Sequence, residues 1–184
     1  NMRSEGDTIE EAAQATIDIA RASGAPAEIH HLKLMGHENW GKLDRVVSMI
    51  EAARASGVRI TADMYVYTAG GTSLDASMPP WVHDGGLEAM VARLKDPSVR
   101  TKVIAAMREA HPKDWENLLH QSGPDGILIL GVNHAALKPL IGKTVAEVAK
   151  MRGVSAEDAI VDLVIEDDAG VSAAYTFISE ANIA

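Results

Sequence analysis

The chain has 184 residues, 47% of them hydrophobic and 23% charged, with a net charge of −9. That is enough length for a sizeable core and the balance of a globular protein, and the negative charge argues against a nucleic-acid surface, which needs a basic patch. Cysteine is absent and no run of about eighteen apolar residues occurs, which excludes disulfides and a membrane-spanning helix and leaves a reducing, cytoplasmic setting as the expectation.

The polar, acidic start "NMRSEGDTIEEAAQ" has no signal-peptide character. Thr8 precedes an amphipathic run with Glu11 three residues on, a capping-box pattern, and Ile9, Ala12, Ala13, Ile17 and Ala20 follow at helical spacing. Gly24 and Pro26 stop that helix. "AEIHHL" (27–32) then reads as a strand, "LDRVVSMIEAARAS" (43–56) as a helix ending at Gly57, and "VRITADMYVY" (58–67) as a second strand. Helix–strand–helix–strand with crossover-length connections is the signature of a parallel sheet in an α/β protein.

Beyond Tyr67 the rhythm changes. "TAGGTSLDASMPPW" (68–81) has no period and reads as a loop, with short helices expected over Leu87–Leu94, Ser98–Ala110 and Lys113–Gln121. "GILIL" is a strand, "TVAEVAKMR" and "AEDAIVDLVIE" are helices with Ser155 as N-cap of the second, and "VSAAYTFI" is a last strand. The domain expectation is barrel-type βα units over 1–79, an inserted, lid-like helical segment over 80–126, and further βα units over 127–184.

Strand alternation would put His31 and Lys33 on one face at a strand end, and Asp63, Tyr65 and Tyr67 on one face of the neighbouring strand. Ligands of parallel α/β sheets sit at such strand ends. Imidazole suits zinc, and a lysine supplies a point charge for a carboxylate. A lone histidine there is more often a hydrogen-bonded structural residue, and spacing alone leaves both readings open. His30, on the opposite face, is expected to pack under a helix, and His37 to be solvated. His83, His111, His120 and His134 form no H-x-H or H-x-x-x-H pair and read as surface residues. "AGGTS" lacks the lysine of a phosphate-binding loop.

"MRSEGD" (2–7), "IHHLK" (29–33), "NWGK" (39–42), "TADMYVYTAGGTSL" (61–74), "PPW" (79–81), "IGKTVAEVA" (141–149) and "ISEANI" (178–183) form an ordered series. As a set it resembles the N-acyl-D-amino-acid deacylase (D-aminoacylase) family of the amidohydrolase superfamily, along essentially the whole chain. The resemblance implies a distorted (β/α)8 TIM-type barrel with a small β-sandwich domain and an inserted segment. It implies hydrolysis of the amide of N-acyl-D-amino acids, with one or two zinc ions activating a water and polarising the carbonyl. On this sequence the family's metal-ligand histidine falls on His31, and its carboxylate-contacting lysine and tyrosine on Lys33 and Tyr65.

Several family features lie outside the sequence. The H-x-H pair and the bridging ligand of the second barrel strand are not here, Asn1 stands where a ligand histidine is expected, and Val66 replaces a proline. The general-base aspartate is expected beyond the chain end, so no catalytic residue is assigned within it. The chain is therefore expected to be a partial barrel, an incomplete fragment inactive by itself, with a small-molecule N-acyl amino acid as partner and either a homo-oligomer or the missing half of the barrel completing it. No nucleic-acid or membrane partner is expected. The alternatives are a non-catalytic α/β module binding a small carboxylate or a partner subunit, and a D-aminoacyl dipeptidase or other amidohydrolase.

Overall fold

The computed structural model describes all 184 residues, Asn1–Ala184. They divide into two compact units, Asn1–Thr68 with Phe177–Ala184, and Ala69–Thr176. The fold is α/β, and no helix is long and apolar enough to cross a membrane.

The first unit opens with helix α1, Ile9–Ser23. The apolar positions read from the sequence, Ile9, Ala12, Ala13, Ile17 and Ala20, are its buried ones. Its end is a left-handed Gly24 (φ 68°), whose amide returns to the Ala20 carbonyl. Its start differs from the expectation, because Thr8 makes no side-chain capping bond. Strand β1 is Ala27–Ile29, helix α2 is Leu43–Ala55 and strand β2 is Ile60–Ala62. β1 and β2 pair in parallel, Ala27 opposite Ile60 and Ile29 opposite Ala62, as the β–α–β rhythm requires. Ile9, Ala13 and Ile17 of α1, Val46, Ile50 and Ala53 of α2, and Ile29, Leu34 and Ile60 bury one shared core. Each isoleucine, leucine or valine among them contributes about 1.5–3 kcal/mol when fully buried.

Both strands are shorter than their β-rich sequences suggest. β1 stops at Ile29 because His30 and His31 turn, and His31 takes a left-handed backbone (φ 44°). The pairing resumes one step later. The Asp63 amide donates to the Ile29 carbonyl at 3.1 Å, and the Leu32 amide donates to the Asp63 carbonyl at 2.7 Å. One residue thus faces two on the other strand, which is the pattern of a bulge.

In the second unit the stretch read as a loop contains a strand, β3, Ala69–Ser73. Its glycines and small polar residues carry no alternation, and its partner lies about a hundred residues away in sequence, so no local signal announces it. The helices are α3, Leu87–Leu94, α4, Pro97–Met107, and α5, Leu118–Ser122. The last is shorter than the expected Lys113–Gln121. Asn117 starts it by accepting from the His120 amide, while its own amide group donates to the Met107 and Glu109 carbonyls. Strand β4, Ile127–Gly131, helices α6, Val145–Arg152, and α7, Ala156–Glu166, and strand β5, Ser172–Thr176, complete the unit.

β5 runs antiparallel between β3 and β4. Parallel pairing is therefore confined to β1 and β2, and the three strands of the second sheet pair antiparallel. Ile127, Ile129, Ala173 and Tyr175 of the sheet are buried, as are Ile160, Leu163 and Val164 of α7 and Val148 of α6. Ser155 caps α7 as expected, and Thr144 with Glu147 forms the full capping box of α6.

Candidate active site

The bulge after β1 and the chain leaving β2 carry the charged cluster of the first unit. The left-handed backbone of His31 is costly for a non-glycine residue and is held from outside, since its amide donates to the Asp63 carboxylate. The other Asp63 oxygen lies 2.7 Å from Nδ1 of His30. These bonds, the His31 amide first and His30 second, hold the Asp63 carboxyl below the usual carboxylate range. His30 was expected under a helix. It is exposed instead, because the turn at 30–31 ends the alternation that would have sent it inward.

Past the bulge the chain turns inward. Leu34 and Met35 are buried, and they carry Lys33 with them, whose side chain keeps only 9% of its surface. A lysine so placed needs a counter-ion. It is Glu5, whose Oε2 pairs with Lys33 Nζ and whose Oε1 lies 2.9 Å from His31 Nδ1. Lys33 Nζ also stands 2.9 Å from His31 Nδ1. Tyr65 completes the group, its ring centroid 5.8 Å from Lys33 Nζ and 6.4 Å from the His31 ring. Burial, and then the Glu5 charge, push the Tyr65 phenol above its ordinary range.

His31, Lys33 and Tyr65 therefore come together, although through a turn and not along two extended strands. Tyr67 lies exposed. Glu5 was not singled out from the sequence, although "MRSEGD" drew attention for other reasons. The available signal was Lys33 itself, set among Leu32, Leu34 and Met35, where a charge must have an acidic partner.

"NWGK" is structural. Asn39 is buried, donates to the Asp7 carboxylate at 3.0 Å and the Met35 carbonyl at 2.8 Å, and accepts from Lys42 Nζ at 2.7 Å. Trp40 Nε1 donates to the Phe177 carbonyl at 2.9 Å. These bonds tie the short 3-10 helix His37–Lys42 to Asp7, Met35 and Phe177. His37 is exposed, its ring edge-on to Trp40 at 5.0 Å. In the other unit His111 and His120 are exposed with rings 5.2 Å apart, a proximity that sequence spacing concealed.

As a donor set for a metal, the group offers one imidazole. Its Nδ1 faces Glu5 and Lys33, which leaves Nε2 as the ring nitrogen for an ion. Zinc takes three or four protein donors in its usual sites, so these residues fit one corner of a zinc centre.

No family model matches the chain. Over 74 residues, 40% of its length, it is 35% identical to an N-acyl-D-glutamate deacylase of Alcaligenes xylosoxydans xylosoxydans. Over 74 residues it is also 39% identical to a D-aminoacylase of the same organism. The chain is similar to the D-aminoacylases. The matched stretch makes up only 15% of each of these two proteins. Among solved structures, the D-aminoacylase described as defining a novel subset of amidohydrolases matches 100% of this chain at 26% identity and a TM-score of 0.62. Another D-aminoacylase structure, with the same identity and TM-score, concerns the role of a binuclear metal centre. An N-acyl-D-glutamate deacylase from Bordetella bronchiseptica, complexed with zinc and a phosphonate inhibitor, matches 99% at 21% identity and a TM-score of 0.64, a likeness of fold. The chain spans 28% of the length of each of these structures. The matches bear out the resemblance read from the ordered series of motifs.

Proposed function

We propose that this chain is part of a zinc-dependent hydrolase of N-acyl-D-amino acids, and that His31, Lys33 and Tyr65 belong to its active site. In this reading the chain is one portion of an amidohydrolase barrel, with the remaining metal donors and the general base supplied by sequence outside these 184 residues. The carrying observation is the convergence of an imidazole, a buried ammonium and a phenol at the ends of the parallel pair β1–β2. Zinc, when bound, supplies a Lewis acid for the amide carbonyl and an activated water. His31 contributes one nitrogen to hold the ion. Lys33 supplies a fixed positive charge for the substrate carboxylate, and Tyr65 walls the pocket beside it. Fixing the carboxylate fixes the hand of the amino acid that can present its amide to the metal.

The test is an assay of the longest reading frame containing this chain, with zinc, against N-acetyl-D-amino acids and their L counterparts. Cleavage of the D series alone is expected. Lys33→Ala should lower kcat/KM by about 10- to 100-fold, mostly through KM, the value of one charge-assisted contact. No cleavage of any N-acyl-D-amino acid would end the reading, and carboxylate binding without cleavage would leave a binding module in its place.

A further inference from the structure

We propose that His111 and His120, in the second unit, form a surface site for a borderline divalent transition metal such as zinc or copper(II). The two rings are exposed, with centroids 5.2 Å apart and planes at 72° to each other. Each ring offers a nitrogen within 4.8 Å of one on the other. Two imidazoles on one tetrahedral ion, each with its nitrogen about 2.0–2.1 Å from the metal, hold their centroids about 5 Å apart. The lone pair of an imidazole nitrogen lies in the ring plane, so one ion accepts from both rings only where the planes meet. Planes at 72° do meet, whereas stacked planes do not. Edge-on packing of aromatic rings gives such an angle too. These rings stand in solvent, however, and what holds them together is the backbone beneath them.

One buried residue pins both stretches of chain. Asn117 donates to the Met107 carbonyl at 2.8 Å and the Glu109 carbonyl at 2.7 Å, on the approach to His111, and accepts from the His120 amide at 3.1 Å. Pro112 disfavours a helical backbone at His111, and His120 is carried on α5. Folding therefore closes the separation between the two ligands before any ion arrives, and ligands already ordered cost less to bring onto a metal. The segment between them is acidic, with Asp114 and Glu116 against Lys113, and Glu109 stands just before it. That charge raises the local concentration of cations. The donor chemistry then selects among them. Imidazole suits zinc, copper and nickel, whereas magnesium and calcium take oxygen donors. A pair of exposed imidazoles leaves the other coordination positions of the ion to water.

Nitrogen-15 spectra of the histidine side chains in the 184-residue chain, titrated with zinc at neutral pH, test this. The ring nitrogens of His111 and His120 should shift together and saturate at a single ion shared between them. His111→Ala should weaken the zinc response of His120 by about 10- to 100-fold or more, and His120→Ala that of His111 likewise, since even an outer-shell partner of a metal is worth about that much. Both side chains are exposed, so circular dichroism should be unchanged in either variant. The proposal is overturned if neither ring responds to zinc, if only one does, or if each responds as strongly when the other is removed, which is how two independent imidazoles behave. Should a variant not fold, the wild-type titration decides alone, by whether the two rings shift together. His31 is followed by its own resonance in the same titration. Zinc there bears on the proposed hydrolase and not on this pair, so the two can fail separately.

Discussion

The two units differ in what some of their buried polar groups do. In 69–176 the deepest of them serve the chain's own backbone. Asp167, fully buried, accepts from the Asn133 and His134 amides. The Tyr175 hydroxyl, buried in the sheet, bonds the Ser73 and Leu74 carbonyls and Ser77 Oγ. In the unit of β1 and β2 the withdrawn charged groups at the strand end serve one another. Glu5, Lys33 and His31 meet side chain to side chain, and little backbone depends on them. A buried polar group that closes a loop explains itself by the fold. A charged trio held together at a strand end does not, and that difference is what the proposed function builds on.

Removing single groups should expose the contrast. Glu5→Met strands Lys33 beside apolar neighbours, and thermal or denaturant unfolding should show a loss on the order of 3–5 kcal/mol. The double variant Glu5→Met, Lys33→Met should recover most of it, because no charge is then left alone. If the double variant is as unstable as the single one, the pair is part of the fold's framework and the contrast collapses. Tyr175→Phe should cost about 1–3 kcal/mol, since two carbonyls and a serine lose a partner. It should leave the His31 side-chain spectrum unchanged, because Ser73, Leu74 and Ser77, which the hydroxyl bonds, belong to the other unit.

Much of this architecture was legible in the chain. Helical spacing gave the buried face of α1 and the limits of α3 and α7, and the alternation of helix and strand gave the parallel pair. Hidden were the features set by distant partners. β3 is a strand because β5 lies beside it, and nothing in "AGGTS" says so. The turn at His30–His31 follows from Asp63, thirty-odd residues on, capturing an amide. His31, Lys33 and Tyr65 were found through motif and alternation, whereas Glu5 required knowing that the lysine is buried. Capping boxes show the same limit: the pattern at Thr8 forms no side-chain bond, and the one at Thr144 forms both. Thr144→Ala should therefore cost about 1 kcal/mol, and Thr8→Ala should stay within about 0.5 kcal/mol of wild type. Equal losses would mean that the first helix start is capped in solution after all.

Asp63 gives the smallest effect and the finest probe of the bulge. Its carboxyl is held below the ordinary value of 3.8, first by the His31 amide and then by His30. A group whose folded pKa is depressed adds stability above its unfolded pKa and loses it as pH falls through the folded one. The wild type should therefore show a step in its acid limb below about pH 4 that Asp63→Asn lacks. Because the side chain is half exposed, that step is small, and carbon-13 titration of the Asp63 carboxyl is the cleaner readout. Its midpoint should lie below 3.8. In His30→Ala it should rise only part of the way, since the stronger of the two bonds comes from the His31 backbone and survives. Full recovery in His30→Ala would mean that the amide bond is not made, and with it the support for the left-handed turn would go. A midpoint still depressed after His30 is removed would show the backbone of His31 fixed independently of its neighbour's ring, which is the condition for an imidazole whose direction is set before any ligand arrives.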